Sequence, residues 1–145
     1  ALAIWFHDAV YDAKRADNEI ESASWATRSL VQCGASGESA QRVHDLVMAT
    51  AHDARVDTWS RLDMQLLVDI DLSILGATDD RFDEYDEDVA KEYAWVPPAE
   101  YRQGRSKVLK KFLVMEHLYK TVAARDMLED AARLNLSRAL ARLAA

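Results

Sequence analysis

The chain contains few of the residues that interrupt helices or cross-link a fold. Its 145 residues include one cysteine, two prolines and four glycines. The single cysteine, Cys33, cannot form an internal disulfide, which is typical of a reducing, cytoplasmic setting. No apolar run approaches the roughly 18 residues that a membrane-spanning helix needs. These scarcities argue against a disulfide-stapled fold and a membrane span, and they favour a helical protein.

Positive charge is scarce relative to negative charge. The chain has 18 Lys and Arg residues against 25 Asp and Glu residues, for a net charge of −7. Nucleic-acid backbones and anionic membranes attract surfaces of the opposite sign, so we expect neither as a partner. Half of the residues are hydrophobic, which excludes general disorder and allows a chain of this length to bury one core.

Apolar residues recur at the 3.6-residue period of a helix along the chain, and no stretch alternates as a strand would. Gly34 should end the second helix, Ser36 or Ser39 should cap the third, and Pro98 should begin the sixth. We predict one all-α domain over residues 1–145, a compact bundle of six to seven helices. The predicted helices are 1–12, 17–33, 36 or 39 to 50 or 52, 60–76, 79–95, 99–122 and 125–144.

The dipeptide His-Asp occurs three times, and its context differs each time. The pair at 44–45 lies beside an apolar helix face and is most simply a boundary pair. The pair at 52–53 falls where a helix should end, where a histidine also serves as a C-terminal charge. His7 and Asp8 differ because apolar residues flank them on both sides, so that burial would be costly without compensation. A metal ion or a plain hydrogen bond could supply that compensation.

A second interrupted apolar run is LLVDIDLSILGA, which contains Asp69 and Asp71. Residues two apart on a helix point about 200° away from each other, so both carboxylates cannot face one ion. One of them could face a metal shared with His7 and Asp8. The alternative is a buried aspartate that accepts backbone or serine hydrogen bonds, and the residues alone favour that alternative slightly.

Several stretches together resemble the HD superfamily of metal-dependent phosphohydrolases, and more narrowly the bacterial group of predicted HD phosphohydrolases. The stretches are WFHDAVYD, DNEIESA, ATAH, DIDLSILGA, EYAWV, YRQGRSKVLKKFL and ARLNL, in the family's order. The resemblance implies a single HD-type helical domain with one or two metal ions between its helices. It also implies hydrolysis of a small phosphorylated metabolite, most simply a nucleotide.

The resemblance also implies a set of metal ligands. His7 and Asp8 match the family's His-Asp pair, and Asp71 matches its distant aspartate, with Asp69 in reserve. The family's first histidine would lie upstream of Ala1, so we expect this chain to lack an N-terminal segment or to bind metal poorly. His52 matches a later histidine that faces the substrate or a second ion.

The remaining expectations concern the chemistry. An imidazole with carboxylates suits Mn, Fe, Zn, Ni or Mg, and a bound divalent ion acidifies water and polarises phosphoryl oxygens. Asp8 or Glu19 could accept the proton of the attacking water. Arg105 and Lys111, from a basic run, could bind the phosphate, although a solvated helix face is the simpler interpretation of each. A non-catalytic nucleotide-binding or regulatory module is the alternative function, and a homodimer is left open.

Overall fold

The structure is a computed structural model that describes residues 1–51 and 61–144, and every regular element in those residues is a helix. The prediction of an all-α fold is therefore confirmed. No helix in these two ranges combines the length and the apolar character that a membrane crossing requires. The α-helices are α1 (Leu2–Phe6), α2 (Asn18–Gln32), α3 (Gly37–Met48), α4 (Leu62–Asp71), α5 (Asp79–Glu92), α6 (Pro98–Leu113) and α7 (Val122–Ala144), with 3₁₀ turns at Ala49–Ala51 and Leu72–Gly76.

The local sequence signals set several helix boundaries as predicted. Gly34 follows α2 with a φ of 84°, a conformation that glycine adopts without strain. The Ser36 hydroxyl accepts the Ser39 amide at 3.2 Å and caps α3, and Pro98 is the first residue of α6. These starts and stops depend on residues adjacent in sequence, which is why they could be predicted.

Several helices are shorter than predicted. Helix α4 ends at Asp71 and continues only as a 3₁₀ turn to Gly76, and α5 ends at Glu92 rather than near residue 95. The first and sixth helices differ most. The first ends at Phe6 rather than near residue 12, and the sixth ends at Leu113 rather than near residue 122. After α6, side chains of α7 replace the helical hydrogen bonds. Arg133 donates to the carbonyls of Leu113, Met115 and Glu116, and the Glu129 carboxylate accepts the amides of the two residues that follow His117. The backbone there is satisfied without another helical turn.

The chain groups into two compact units, Ala1–Ile70 and Asp71–Ala145, and the boundary falls before the last residue of α4. A single domain over 1–145 stays a prediction. The first unit contains α1, α2, α3 and nearly all of α4. Its core is made of small and branched side chains from these four helices: Ala3, Ala23, Ala26, Val43, Val47 and Leu67.

In the second unit, α7 packs against α6 and against the Leu72–Gly76 turn. The buried Asn135 side chain donates from Nδ2 to the carbonyls of Leu75 and Ala77, both at 2.9 Å. The Tyr119 hydroxyl donates to the Leu72 carbonyl at 3.1 Å. Two polar groups of the second unit therefore hold the segment that continues directly from α4.

Arginines of α6 and α7 join the acidic α5 to the rest of the second unit. Arg138 and Arg142 each bind Asp83, at 2.8 and 2.9 Å. Hydrogen bonds from these two arginines lower the pKa of Asp83. The acidic run of α5 is therefore partly neutralised within its own unit.

Candidate metal centre

His7 and Asp8 lie in the turn that follows α1. The His7 residue caps the helix with helical dihedral angles, and the chain leaves the helix after it. The His7 side chain is 22% exposed, whereas that of Asp8 is 66% exposed. The pair therefore presents one partly buried ring and one carboxylate open to solvent.

The hydrogen bond at one ring nitrogen of His7 fixes what the other nitrogen can do. The Nδ1 atom lies 2.9 Å from the Ile4 carbonyl oxygen, and because a carbonyl can only accept, Nδ1 carries the proton. In the neutral ring, Nε2 then has a lone pair, and it lies 3.2 Å from Asp8 Oδ2. Two acceptors at that distance attract each other only with a proton or a metal cation between them.

Helix α4 carries the third side chain of the group. Leu67 anchors α4 in the core of the first unit, and Asp71 follows it by four residues, so it lies on the same helix face. One ligand atom each from His7, Asp8 and Asp71 all lie within 4.8 Å of one another. Asp69 is not in this group; it is 4% exposed and points about 200° away from Asp71 around the helix.

The three side chains fit a divalent metal ion. Ligands about 2.1 Å from one ion stand about 3.0 to 3.4 Å apart at octahedral or tetrahedral angles, and the 3.2 Å between His7 Nε2 and Asp8 Oδ2 falls in that range. Ligands on opposite sides of an ion are roughly 4.2 Å apart, and the ligand atoms of the three residues all lie within 4.8 Å of one another. One imidazole and two carboxylates suit Mn, Fe, Zn, Ni or Mg and leave coordination positions for water and substrate.

Two side chains of α2 hold the segment that follows the His-Asp turn, and neither of them was predicted to have a role. The Ser22 hydroxyl accepts the Val10 amide at 3.0 Å and donates to the Val10 carbonyl at 3.2 Å. Asn18 makes the same kind of double contact with the backbone of Asp12, at 3.1 and 3.0 Å. Their spacing of four residues, which places them on one helix face, was the available signal.

Glu19 lies in the first turn of α2 and is half-buried. It precedes Ser22, Ala23 and Ala26 by three, four and seven residues, and those three residues are fully buried. This spacing places Glu19 at the N-terminal end of the buried face of α2. Its predicted part in orienting water stays a prediction.

Among the other histidine predictions, His52 lies outside the described residues. The pair at 44–45 lies on α3 and is partly exposed, and Gln41 donates to the Asp45 carboxylate at 2.8 Å. This position agrees with the expected boundary pair.

The predicted phosphate ligands do not share a helix face. Arg105 turns inward, with 10% of its side chain exposed, and donates to Asp86 at 2.8 Å while its guanidinium lies 5.7 Å from the centre of the Tyr85 ring. Burial lowers the pKa of Arg105, but the hydrogen bond to Asp86 and the neighbouring charges outweigh it, so the pKa is raised. Lys111 lies six residues further along α6, about 120° around the helix, and is exposed. Their phosphate-binding role stays a prediction.

No protein-family model, no curated protein and no solved structure matches the chain. The resemblance to the HD superfamily therefore rests on the quoted sequence stretches alone. The geometry of His7, Asp8 and Asp71 is the structural observation that bears on function.

Proposed function

We propose that this chain is a metal-dependent phosphohydrolase of the HD type that hydrolyses a phosphoester or phosphoanhydride bond of a small phosphorylated metabolite such as a nucleotide. The single observation that carries the proposal is the grouping of His7, Asp8 and Asp71. Three side chains of the types that the HD resemblance implies come from two parts of the chain that are more than 60 residues apart. A histidine that binds a metal usually donates its other ring nitrogen to a carbonyl or carboxylate, as His7 Nδ1 does to the Ile4 carbonyl.

Each side chain of the group has a defined task in this proposal. His7 binds through Nε2 because Nδ1 is occupied, and Asp8 and Asp71 supply carboxylate oxygens that neutralise the ion's charge. A divalent ion held there would acidify a bound water and polarise a phosphoryl oxygen. The exposure of Asp8 leaves that side of the site open to a substrate.

The proton of the attacking water needs an acceptor. Asp8 and Glu19 are the two carboxylates that we propose for this task. Glu19 has the advantage that binding to the ion does not occupy its oxygens. The bond from the phosphorus to the leaving oxygen breaks as the water oxygen adds, and the leaving oxygen takes up a proton.

The first experiment measures binding of Mn²⁺ alone by titration calorimetry. We expect His7→Ala and Asp71→Asn to lower the affinity by about 100-fold or more, because each removes a direct ligand. Asp69→Asn is the matched control, since it changes a neighbouring carboxylate of the same helix outside the group. Equal losses for Asp69→Asn and Asp71→Asn would contradict the proposed ligand set.

The second experiment measures phosphate and pyrophosphate release from a panel of nucleotides and sugar phosphates with Mn²⁺ present. We expect release from at least one compound, and loss of that release in His7→Ala. If Mn²⁺ binds as expected but every compound stays intact, the alternative of a non-catalytic nucleotide-binding module takes precedence.

A further inference from the structure

The hydroxyl of Ser22 is used in an unusual way for a buried serine in a helix. Such a hydroxyl commonly bonds back to the carbonyl four residues earlier in the same helix, as Thr27 does with Ala23 at 2.9 Å. Ser22 is fully buried, yet its hydroxyl bonds both the amide and the carbonyl of Val10, twelve residues away. The Ser22 hydroxyl therefore bonds the segment that follows the His-Asp turn.

Val10 is only two residues beyond Asp8. The turn is held on its other side by the helical end of α1, where His7 Nδ1 donates to the Ile4 carbonyl. The turn between these two attachments carries both His7 and Asp8. Beyond the turn, the Ser22 contact at Val10 lies two residues closer to the ligands than the Asn18 contact at Asp12.

We propose that Ser22 is a positioning residue for the metal centre: it fixes Val10 and thereby keeps His7 Nε2 and Asp8 Oδ2 at the separation that one ion requires. This inference rests on the proposed metal site. A chelate that is arranged before binding does not lose the freedom of a loop when the ion arrives, so its affinity is higher. Side chains that orient metal ligands typically change affinity by about 10- to 100-fold when removed.

The test compares Ser22→Ala with two matched variants. Ser22→Ala removes only the hydroxyl and favours the helix, so α2 should fold normally. Asn18→Ala removes an equivalent double contact, but from Asp12, which is two residues further from the ligands. Ala26→Gly weakens the same buried face of α2 without touching the turn. Ser22→Thr restores a hydroxyl and serves as the rescue.

The first readout is the affinity for Mn²⁺ alone. We expect about a tenfold loss in Ser22→Ala, recovery in Ser22→Thr, and changes of less than about threefold in Asn18→Ala and Ala26→Gly. A loss of equal size in Ala26→Gly would mean that general destabilisation of α2 explains the effect, and it would overturn the inference.

The second readout needs no metal. Nitrogen-15 chemical shifts of the His7 ring at pH 8 report which nitrogen carries the proton. We expect mainly the Nδ1-protonated form in the wild-type chain and a mixture in Ser22→Ala, with the other histidines unchanged. Unchanged ring shifts together with unchanged Mn²⁺ affinity would refute the positioning role. If the wild-type chain binds no Mn²⁺, the proposed function fails, and the ring shifts alone decide whether Ser22 orders the turn.

Discussion

Removal of the Asn135 side chain tests how the segment after α4 is held. The side chain is 1% exposed, and its Nδ2 donates to the carbonyls of Leu75 and Ala77 at 2.9 Å each. Each hydrogen bond contributes about 1 kcal/mol net, and each carbonyl left buried without a donor costs about 1–3 kcal/mol. Because a neighbouring amide or water can partly replace the lost donors, we expect Asn135→Ala to lower the free energy of unfolding by about 2–4 kcal/mol.

The assay is urea unfolding followed by circular dichroism at pH 7. Leu134→Ala, at the neighbouring exposed position of the same helix, is the control and should change stability by less than about 0.5 kcal/mol. A loss below about 1 kcal/mol in Asn135→Ala would refute the assignment, because the two bonds would then contribute no more than one exposed contact does.

The Asn135→Asp variant should have a stability that depends on pH. The carboxylate has the shape of the amide but cannot donate, and it would face two carbonyl oxygens in a buried site. The charged form is disfavoured there, so the pKa of this carboxyl in the folded state should lie above its unfolded value of about 3.9. The folded state then binds more protons, and stability falls as the pH rises above about 4. Equal destabilisation at pH 4 and pH 7 would contradict this reasoning.

Two further substitutions test contacts elsewhere. At Gly76, a Cβ would lie 2.7 Å from Leu128 Cβ and 2.8 Å from the Leu128 carbonyl oxygen, so Gly76→Ala should lower the free energy of unfolding by about 1–3 kcal/mol in urea titrations. The guanidinium groups of Arg61 and Arg42 lower the pKa of Asp63 to about 2. That pKa lies below the unfolded value, so the pairing stabilises the fold above about pH 4 and is lost as the pH falls towards 2; because the groups are partly exposed, its contribution is about 1 kcal/mol or less. Urea titrations should therefore show Asp63→Asn to be less stable than the wild-type chain at pH 7 and equal to it near pH 2.

The helical class and several helix ends could be predicted because their causes are local. Ser36, Gly34 and Pro98 act on backbone groups within a few residues, and apolar periodicity records which helix face is buried. The ends of α1 and α6 could not be predicted in this way. The backbone that follows each end bonds to side chains distant in sequence, at Val10 after α1 and at Leu118 after α6. The apolar composition that suggested longer helices continues past both ends.

In the candidate site too, local geometry could be predicted, whereas contacts between residues distant in sequence could not. A helix repeat of 100° per residue was enough to say that Asp69 and Asp71 cannot face one point, and the structure groups Asp71 with His7. The pairing of Arg105 could not be predicted, because its partner Asp86 lies 19 residues away on another helix. The role of Ser22 could not be predicted for a similar reason, because the sequence does not identify the hydrogen-bond partner of a serine hydroxyl on a helix.

The end of α1 bears directly on the proposed site. His7 caps α1 with helical dihedral angles, so the side chains of His7 and Asp8 diverge by about 100°, as adjacent positions on a helix do. At that divergence two side chains approach one point from neighbouring directions, and the Asp8 carboxylate lies 3.2 Å from the ring of His7. The same helix end supplies the Ile4 carbonyl that holds Nδ1. The helix therefore needs to continue only as far as His7 to bring together two of the three proposed ligands, which is why its early end does not count against the site.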